Sequence, residues 1–178
     1  MKEIKLLRKQ KGEEYTVKVD DCDADLFEMY KYHIQVNRSG HVYVRRWVRP
    51  DNGRKSYPHV NLQWDVYARR NGKISKNILI DHKNGDTLDN TFGNLRIATR
   101  GQNRHNSKGI STASSKYKGV HKFKNGTYSV VIKHNDIRIV SHGYKDETEA
   151  AKIADKIYYG LYGEFARLNF PNELKKAI

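Results

Sequence analysis

Cysteine is nearly absent from this chain. Cys22 is the one thiol in 178 residues, so no internal disulfide can form and no cysteine-based zinc site can be built. That usage fits a reducing compartment. Long apolar runs are missing too. Nothing approaches the ~20 residues of a membrane span. Residues 1–15 are charged and lack the central apolar run of a secretory signal. The expectation is a cytoplasmic protein with no membrane contact. Hydrophobic residues make up 37%, little for one large core but enough for small ones. Negative charge is also in short supply. There are 20 acidic against 34 basic side chains, for a net charge of +14. Residues 1–30 hold eight of the acids and six of the bases, so the whole positive excess lies after residue 30. An excess of this size reads as the footprint of a polyanion partner, DNA or RNA first. A merely soluble basic protein is the plain alternative. Twelve tyrosines and two tryptophans argue against wholesale disorder.

Patterning divides the chain. GEEYTVKVD (12–20) alternates, with Tyr15, Val17 and Val19 on one side of a half-buried strand. DADLFEMYKYHI (23–34) reads as a short helix behind an acidic cap. HVYVRRWVRP (41–50) reads as a strand and RPDNGRK as a turn around Asn52-Gly53. Leu62 to Ala68 reads as a short helix turning Leu62, Val66 and Tyr67 inward. NILIDH (77–82) is a strand that delivers Asp81 and His82 at its end. KNGDTLDN is a tight loop, NLRIAT a second strand, and RGQNRHN the start of a helix capped by Thr99. GISTASS (109–115) reads as a linker. Beyond it, YKGVHKF, TYSVVIKH and IRIVSHGY read as three strands with turns at Lys124–Gly126 and Asn135–Asp136. DETEAAKIADKIYYGLYG then gives a helix. Asp146 and Glu149 have capping-box spacing, and Ala150, Ile153, Ala154, Ile157, Tyr158 and Leu161 form one apolar face ended by Gly163.

Residues 81–106, DHKNGDTLDNTFGNLRIATRGQNRHN, carry the chemistry. Phosphodiester hydrolysis needs a base near neutral pKa, and histidine supplies one. It also needs a hard divalent cation against the phosphate charge, and Asp and Asn oxygens suit Mg²⁺ or Mn²⁺. Asp81 and His82 are adjacent at a strand end, so their side chains diverge. Asn94 can hold the imidazole through its other ring nitrogen. Asn103, on the following helix, can complete a metal site. Arg96, Arg100 and Arg104 can clamp phosphates, and His105 reads as a phosphate or solvent contact. A polar loop without chemistry, with the arginines as a solvated face, is the competing reading.

The spacing DH(x)₁₁N(x)₈N, with NGDTLDN between and NLRIATRGQN behind, resembles the HNH endonucleases of phage and intron-encoded homing type. The resemblance implies a ββα-metal core over about 77–106. It implies His82 as general base, Asp81 and Asn103 as metal ligands, and Asn94 as the residue that orients His82 or frames the loop. Leu88, Asn90 and Leu95 match the family's framing positions. The implied activity is metal-dependent hydrolysis of double-stranded DNA, cutting one strand as a monomer or weak dimer. The implied setting is a bacterial host cell, near its nucleoid, with phage or mobile-element origin. A DNA-binding regulator that keeps the fold without catalysis, and an RNA-binding protein, are the rival readings.

Residues 115–171 resemble the AP2 DNA-binding domain in YKGV, GTYSVVI, the EAA helix and the GEFARLNFP ending. That family reads the major groove with the outer face of its sheet. Alternation turns Tyr128, Val130 and Ile132 toward the helix. It turns Ser129, Val131, Lys133, His121, Phe123, Arg138 and Val140 outward, with Lys118 and Lys122 as phosphate partners. Phe165, Leu168 and Phe170 read as core. The expected fold is α+β: a β-rich N-terminal region leading into the nuclease core (1–108), a linker (109–115), and a three-stranded antiparallel sheet with one helix (116–172).

Overall fold

Alternation in the first strands sets the architecture. β1 (Lys2–Arg8) and β2 (Glu13–Val19) form an antiparallel hairpin, registered from Lys2 against Val19 to Arg8 against Glu13. Val17 and Val19 are fully buried, as the period of two requires. The computed structural model describes residues 1–8, 11–38, 40–49, 58–72, 75, 78–107 and 114–174. The chain divides into two compact units, Met1–Thr99 and Arg100–Ile178. Among the described residues there are four small antiparallel sheets and a few helices.

In the first unit, the helix expected over 23–34 is cut short. A 3-10 turn at Asp21–Asp23 leads to a single helical turn, α1 (Leu26–Met29). The chain then extends as β3 (Tyr32–Val36). Tyr32, Ile34 and Val36 are aromatic or β-branched, and all five residues of β3 find partners on β4 (Val42–Trp47). Sheet pairing outweighs local helical pattern here. Asp25 does not cap α1 with its side chain; it holds the Arg69 guanidinium instead. β4 pairs in turn with β5 (His59–Asn61), giving the order β3-β4-β5. The turn expected at RPDNGRK lies, beyond Arg49, outside the described residues.

α2 (Leu62–Asn71) follows β5 directly and buries Leu62 and Val66. These join Val17, Val19, Leu26, Ile34 and Val44 in one core, which also receives Ile80 and Leu95. Ile80 belongs to β6 (Leu79–His82) and Leu95 to β7 (Leu95–Ala98), an antiparallel pair. That apolar anchoring fixes the strand end carrying Asp81 and His82.

The second unit opens with α3 (Arg100–His105). β8 (Val120–Lys122), β9 (Tyr128–His134) and β10 (Ile137–Tyr144) form a sheet in the order β10-β9-β8. Asn135 and Asp136 both adopt positive φ in the β9–β10 turn, the conformation a two-residue hairpin prefers. α4 (Glu147–Tyr162) covers the sheet with Ala150, Ala151 and Ala154 against Val120, Val130 and Ile132. Asp146 caps α4 by accepting from the Glu149 amide at 2.7 Å. Gly119 is required twice over: its φ is +80°, and a Cβ there would meet the Tyr158 ring at 2.9 Å. Asp155, buried on α4, accepts from the Asn169 and Phe170 amides at 2.8 and 2.7 Å and latches the GEFARLNFP ending, ahead of α5 (Pro171–Leu174). The linker expected at 109–115 lies outside the described residues except for its end. Ser115 belongs to the sheet-and-helix unit, where its hydroxyl donates to Glu147 at 2.8 Å. No described helix is long and apolar enough to cross a membrane.

Candidate active site and nucleic-acid interface

Strand register brings Asp81 opposite Arg96 and His82 opposite Leu95. Asp81 and Arg96 are both buried, and Arg96 donates through Nε at 3.0 Å and Nη2 at 2.9 Å to the same oxygen, Asp81 Oδ2. Arg96 was expected at a phosphate. In the structure it compensates the charge that burial of Asp81 would leave exposed to a low dielectric.

His82 is 5% exposed. Its Nε2 lies 3.2 Å from Asn90 Oδ1, and Asn90 is itself fully buried. The amide nitrogen of Asn90 donates to the Thr87 carbonyl at 3.1 Å. That bond turns Oδ1 toward the ring, so Nε2 carries the proton and Nδ1 is the basic nitrogen. Burial lowers the His82 pKa below the ordinary histidine value, against opposing contributions from Asn90, Asp81, Asp86 and Asp89. Burial thus favours the neutral ring, the state a proton acceptor needs.

Asn94 does a different job from the one that orients His82. Its Nδ2 donates to Asp89 O at 2.7 Å and Asn84 Oδ1 at 3.1 Å, and its Oδ1 accepts from the Asn84 amide. Asn94 thus frames the loop, the second of its two expected roles. The partner of His82 is Asn90, which the sequence showed only as a framing position. Two asparagines four residues apart in a loop give no sign of which side chain turns inward. The rest of the loop is cross-tied. Asn84 Oδ1 accepts from the Asp86 amide, Asp89 Oδ1 from Thr91 Oγ1, and Asp20 from the Phe92 amide. Lys18 on β2 exchanges backbone bonds with Leu88 and Asn90 at 2.9 and 2.8 Å. The loop carrying the motif is thus tied along its length by side-chain and backbone hydrogen bonds.

Asn103, Arg100 and Arg104 are exposed on α3, within the second unit. The C-terminal end of α3 is held by that unit. Lys118 Nζ donates to the His105 carbonyl at 2.7 Å and the Ser107 carbonyl at 2.9 Å, and the Arg167 amide donates to His105 O. The His105 ring stacks on Tyr162, centroids 3.7 Å apart. Lys118 is therefore a helix C-cap and not a phosphate partner. Burial, with Arg167 nearby, brings its pKa down to about 8.

On the sheet of the second unit, His121, Lys122, Phe123, Lys133, Arg138 and Val140 are exposed as expected, and Val131 is half-buried. Lys133 is 3.0 Å from Asp136. Ser129 corrects the reading of that face. It is fully buried between His121 and His142, its registered neighbours on β8 and β10, so its hydroxyl reaches no base.

Among the described residues no three or more His, Cys, Asp or Glu side chains gather as a metal cluster. Magnesium sites commonly take one or two carboxylates plus phosphate and water, so a full protein cage is not needed.

No solved structure matches the chain. An uncharacterized HNH endonuclease of Acanthamoeba polyphaga mimivirus is 39% identical over 98 residues, 55% of this chain and 50% of that protein. The chain thus spans about half the length of the curated relative it matches. Residues 65–105, which hold Asp81, His82, Asn90, Asn94 and Asn103, match the model of the HNH endonuclease family, and the chain carries an HNH endonuclease domain there.

Proposed function

We propose that this chain is a site-directed DNA endonuclease of homing type that hydrolyses one phosphodiester of duplex DNA with His82 as general base. One observation carries the reading. Within the segment matching the HNH family, burial favours the neutral imidazole of His82 and Asn90 holds its Nε2, beside the clamped carboxylate of Asp81. His82 takes the proton of a water molecule as its oxygen bonds to phosphorus. The bond to the 3′ oxygen then breaks, and the departing oxygen takes a proton from solvent, leaving a 3′-hydroxyl and a 5′-phosphate. Arg96 holds Asp81 by one oxygen and so fixes the direction of the carboxylate. The donor chemistry fits a hard divalent cation: Asp81 and Asn103, the ligands that the motif implies, each offer an oxygen, and neither is a soft ligand. Mg²⁺ or Mn²⁺ would neutralise charge on the phosphate and the departing oxygen. Arg100 and Arg104 serve as phosphate contacts. The sheet of the second unit, read as AP2-like, holds duplex DNA through His121, Lys122, Phe123, Val131, Lys133 and Arg138. A monomer then nicks.

A second reading, a DNA-binding regulator without catalysis, draws on one feature. Asp81 and His82 are buried and Asp81 is already charge-compensated. Supercoiled DNA incubated with Mg²⁺, Mn²⁺ or EDTA separates the two, with His82→Ala beside the parent. Metal-dependent nicks at one reproducible position, reduced about 10²–10⁴-fold in the variant at unchanged affinity, are expected. Because the His82 pKa is depressed, the rate should be flat above the ordinary histidine range and fall only below it. Equal nicking by the variant would remove His82 from the mechanism. Tight binding without breaks in any metal would favour the regulator.

A further inference from the structure

The outer face of the β3-β4-β5 sheet has no part in the chemistry above. Register sets His33 opposite Arg45, Arg45 opposite Asn61, and Trp47 opposite His59. Ile34 and Val44 alternate with these residues and enter the core, so the others share the opposite face. Trp47 is 56% exposed. Its ring centroid lies 3.8 Å from that of His59 and 5.4 Å from that of His33, the latter pair within 18° of parallel. Three rings from three strands thus form one ridge, with the indole held in place and still open to solvent.

Arg45 stands beside the ridge. Its Nε donates to Asn61 Oδ1 at 2.7 Å and its Nη1 to Gln35 Oε1 at 2.8 Å. Its guanidinium lies 5.0 Å from the Tyr43 ring centroid. The holders are neutral amides, and among the described residues no carboxylate pairs with the guanidinium, so the charge is fixed in direction. Arg46, next along the same strand, points to the other face. Asp65 receives its Nε at 2.7 Å and its Nη2 at 2.8 Å. Among the described residues the inward arginine is thus paired with a carboxylate and its outward neighbour is not. No Asp or Glu occurs among the residues that register on the outer face. This strand also lies in the part of the sequence that holds the positive excess.

We propose that this face is a second DNA-docking surface, where Arg45 takes a backbone phosphate and Trp47 packs against a deoxyribose of the same duplex. The inference rests on the reading of this chain as a protein that acts on DNA. It adds a contact within residues 1–99, independent of the sheet of the second unit. The occupant follows from the chemistry. A preorganised guanidinium suits a phosphate. A half-exposed indole suits the apolar side of a deoxyribose, a contact that carries no sequence information. A three-stranded sheet face can also lie in a DNA groove.

The chain has two tryptophans, so Trp64→Phe in the full-length protein makes Trp47 the sole indole reporter. The probe is a mixed-sequence duplex of about 30 base pairs, at low salt with EDTA, with binding followed by anisotropy. Duplex binding should quench Trp47 and shield it from acrylamide. In the unaltered background, Trp47→Ala should weaken binding about tenfold. Arg45→Gln should weaken binding and lower the salt slope by about one. These two affinities decide the matter if Trp64→Phe does not fold. Bound duplex with unchanged Trp47 emission and acrylamide access would overturn the proposal, as would parental affinity in both variants. Nicking in Mg²⁺ with a silent Trp47 would sink this face and leave the nuclease reading standing. A shielded Trp47 with no nicking would do the reverse.

Discussion

The β6–β7 hairpin and the β8–β10 sheet both carry residues proposed to meet DNA, and they treat polar groups in opposite ways. In the hairpin, Asp81, His82, Asn90 and Arg96 are all buried, and each is held by another of the group or by the loop. On the sheet, Lys122, Phe123 and Arg138 stand in solvent, with Ile137 66% exposed at the edge. A group that moves a proton must be fixed to a fraction of an ångström, and dense bonding supplies that. A group that meets a phosphate backbone needs reach more than fixity. The hairpin should therefore be brittle to substitution and the sheet tolerant.

Arg96→Met tests the brittle side hardest. It strands a buried carboxylate and should cost about 3–5 kcal/mol in denaturant unfolding. A loss below about 1 kcal/mol would place the pair among surface ion pairs and end the contrast. Asn90→Ala comes next. It should cost about 1–3 kcal/mol through unsatisfied buried groups and lower turnover about 10–100-fold at unchanged DNA affinity. Asn94→Ala should disturb the loop with the smaller effect on turnover. The opposite ranking would return the orienting role to Asn94.

Lys118→Met probes the second unit away from its open face. The folded pKa of about 8 lies below the ordinary 10.5. Between those values the unfolded chain holds a proton that the folded chain has released, so stability from this group rises with pH across that window and is lost as pH falls through about 8. Unfolding midpoints at about pH 7, 8.5 and 10 should show the rise in the parent and a flatter profile in the variant. Equal slopes would mean that Lys118 is solvated. Ser129→Ala should have the smallest effect. Among the described residues its buried hydroxyl has no hydrogen-bond partner, so stability should stay within about 0.5 kcal/mol and duplex affinity should not change. A clear loss of affinity would return Ser129 to the DNA face.

Local signals predicted local structure well. Alternation at Tyr15, Val17 and Val19, the Asp146 cap and the Ala150–Ala154 face all appear as read. The helix expected over 23–34 failed because its second half pairs with β4, the following strand of the same hairpin. Ser129 alternates outward by period, yet a small side chain on a central strand sinks beneath the larger residues beside it. Lys118 reads as a phosphate partner from its charge and its place beside the sheet. Only the folded chain shows the end of α3 beside it. In the motif, spacing located Asp81 and His82, while the choice between Asn90 and Asn94 rested on side-chain direction, which spacing does not encode.

The segment matching the HNH family runs to residue 105, while the first compact unit ends at Thr99. Its last six residues are α3, whose end is tied to Lys118, Tyr162 and Arg167. A helix that short does not persist alone in water. A recombination joint at 109–115 would thus transplant the motif with its final helix unfastened. Grafting this motif into a new host would require residues 114–170 to travel with it, or a substitute anchor for α3 built by the recipient.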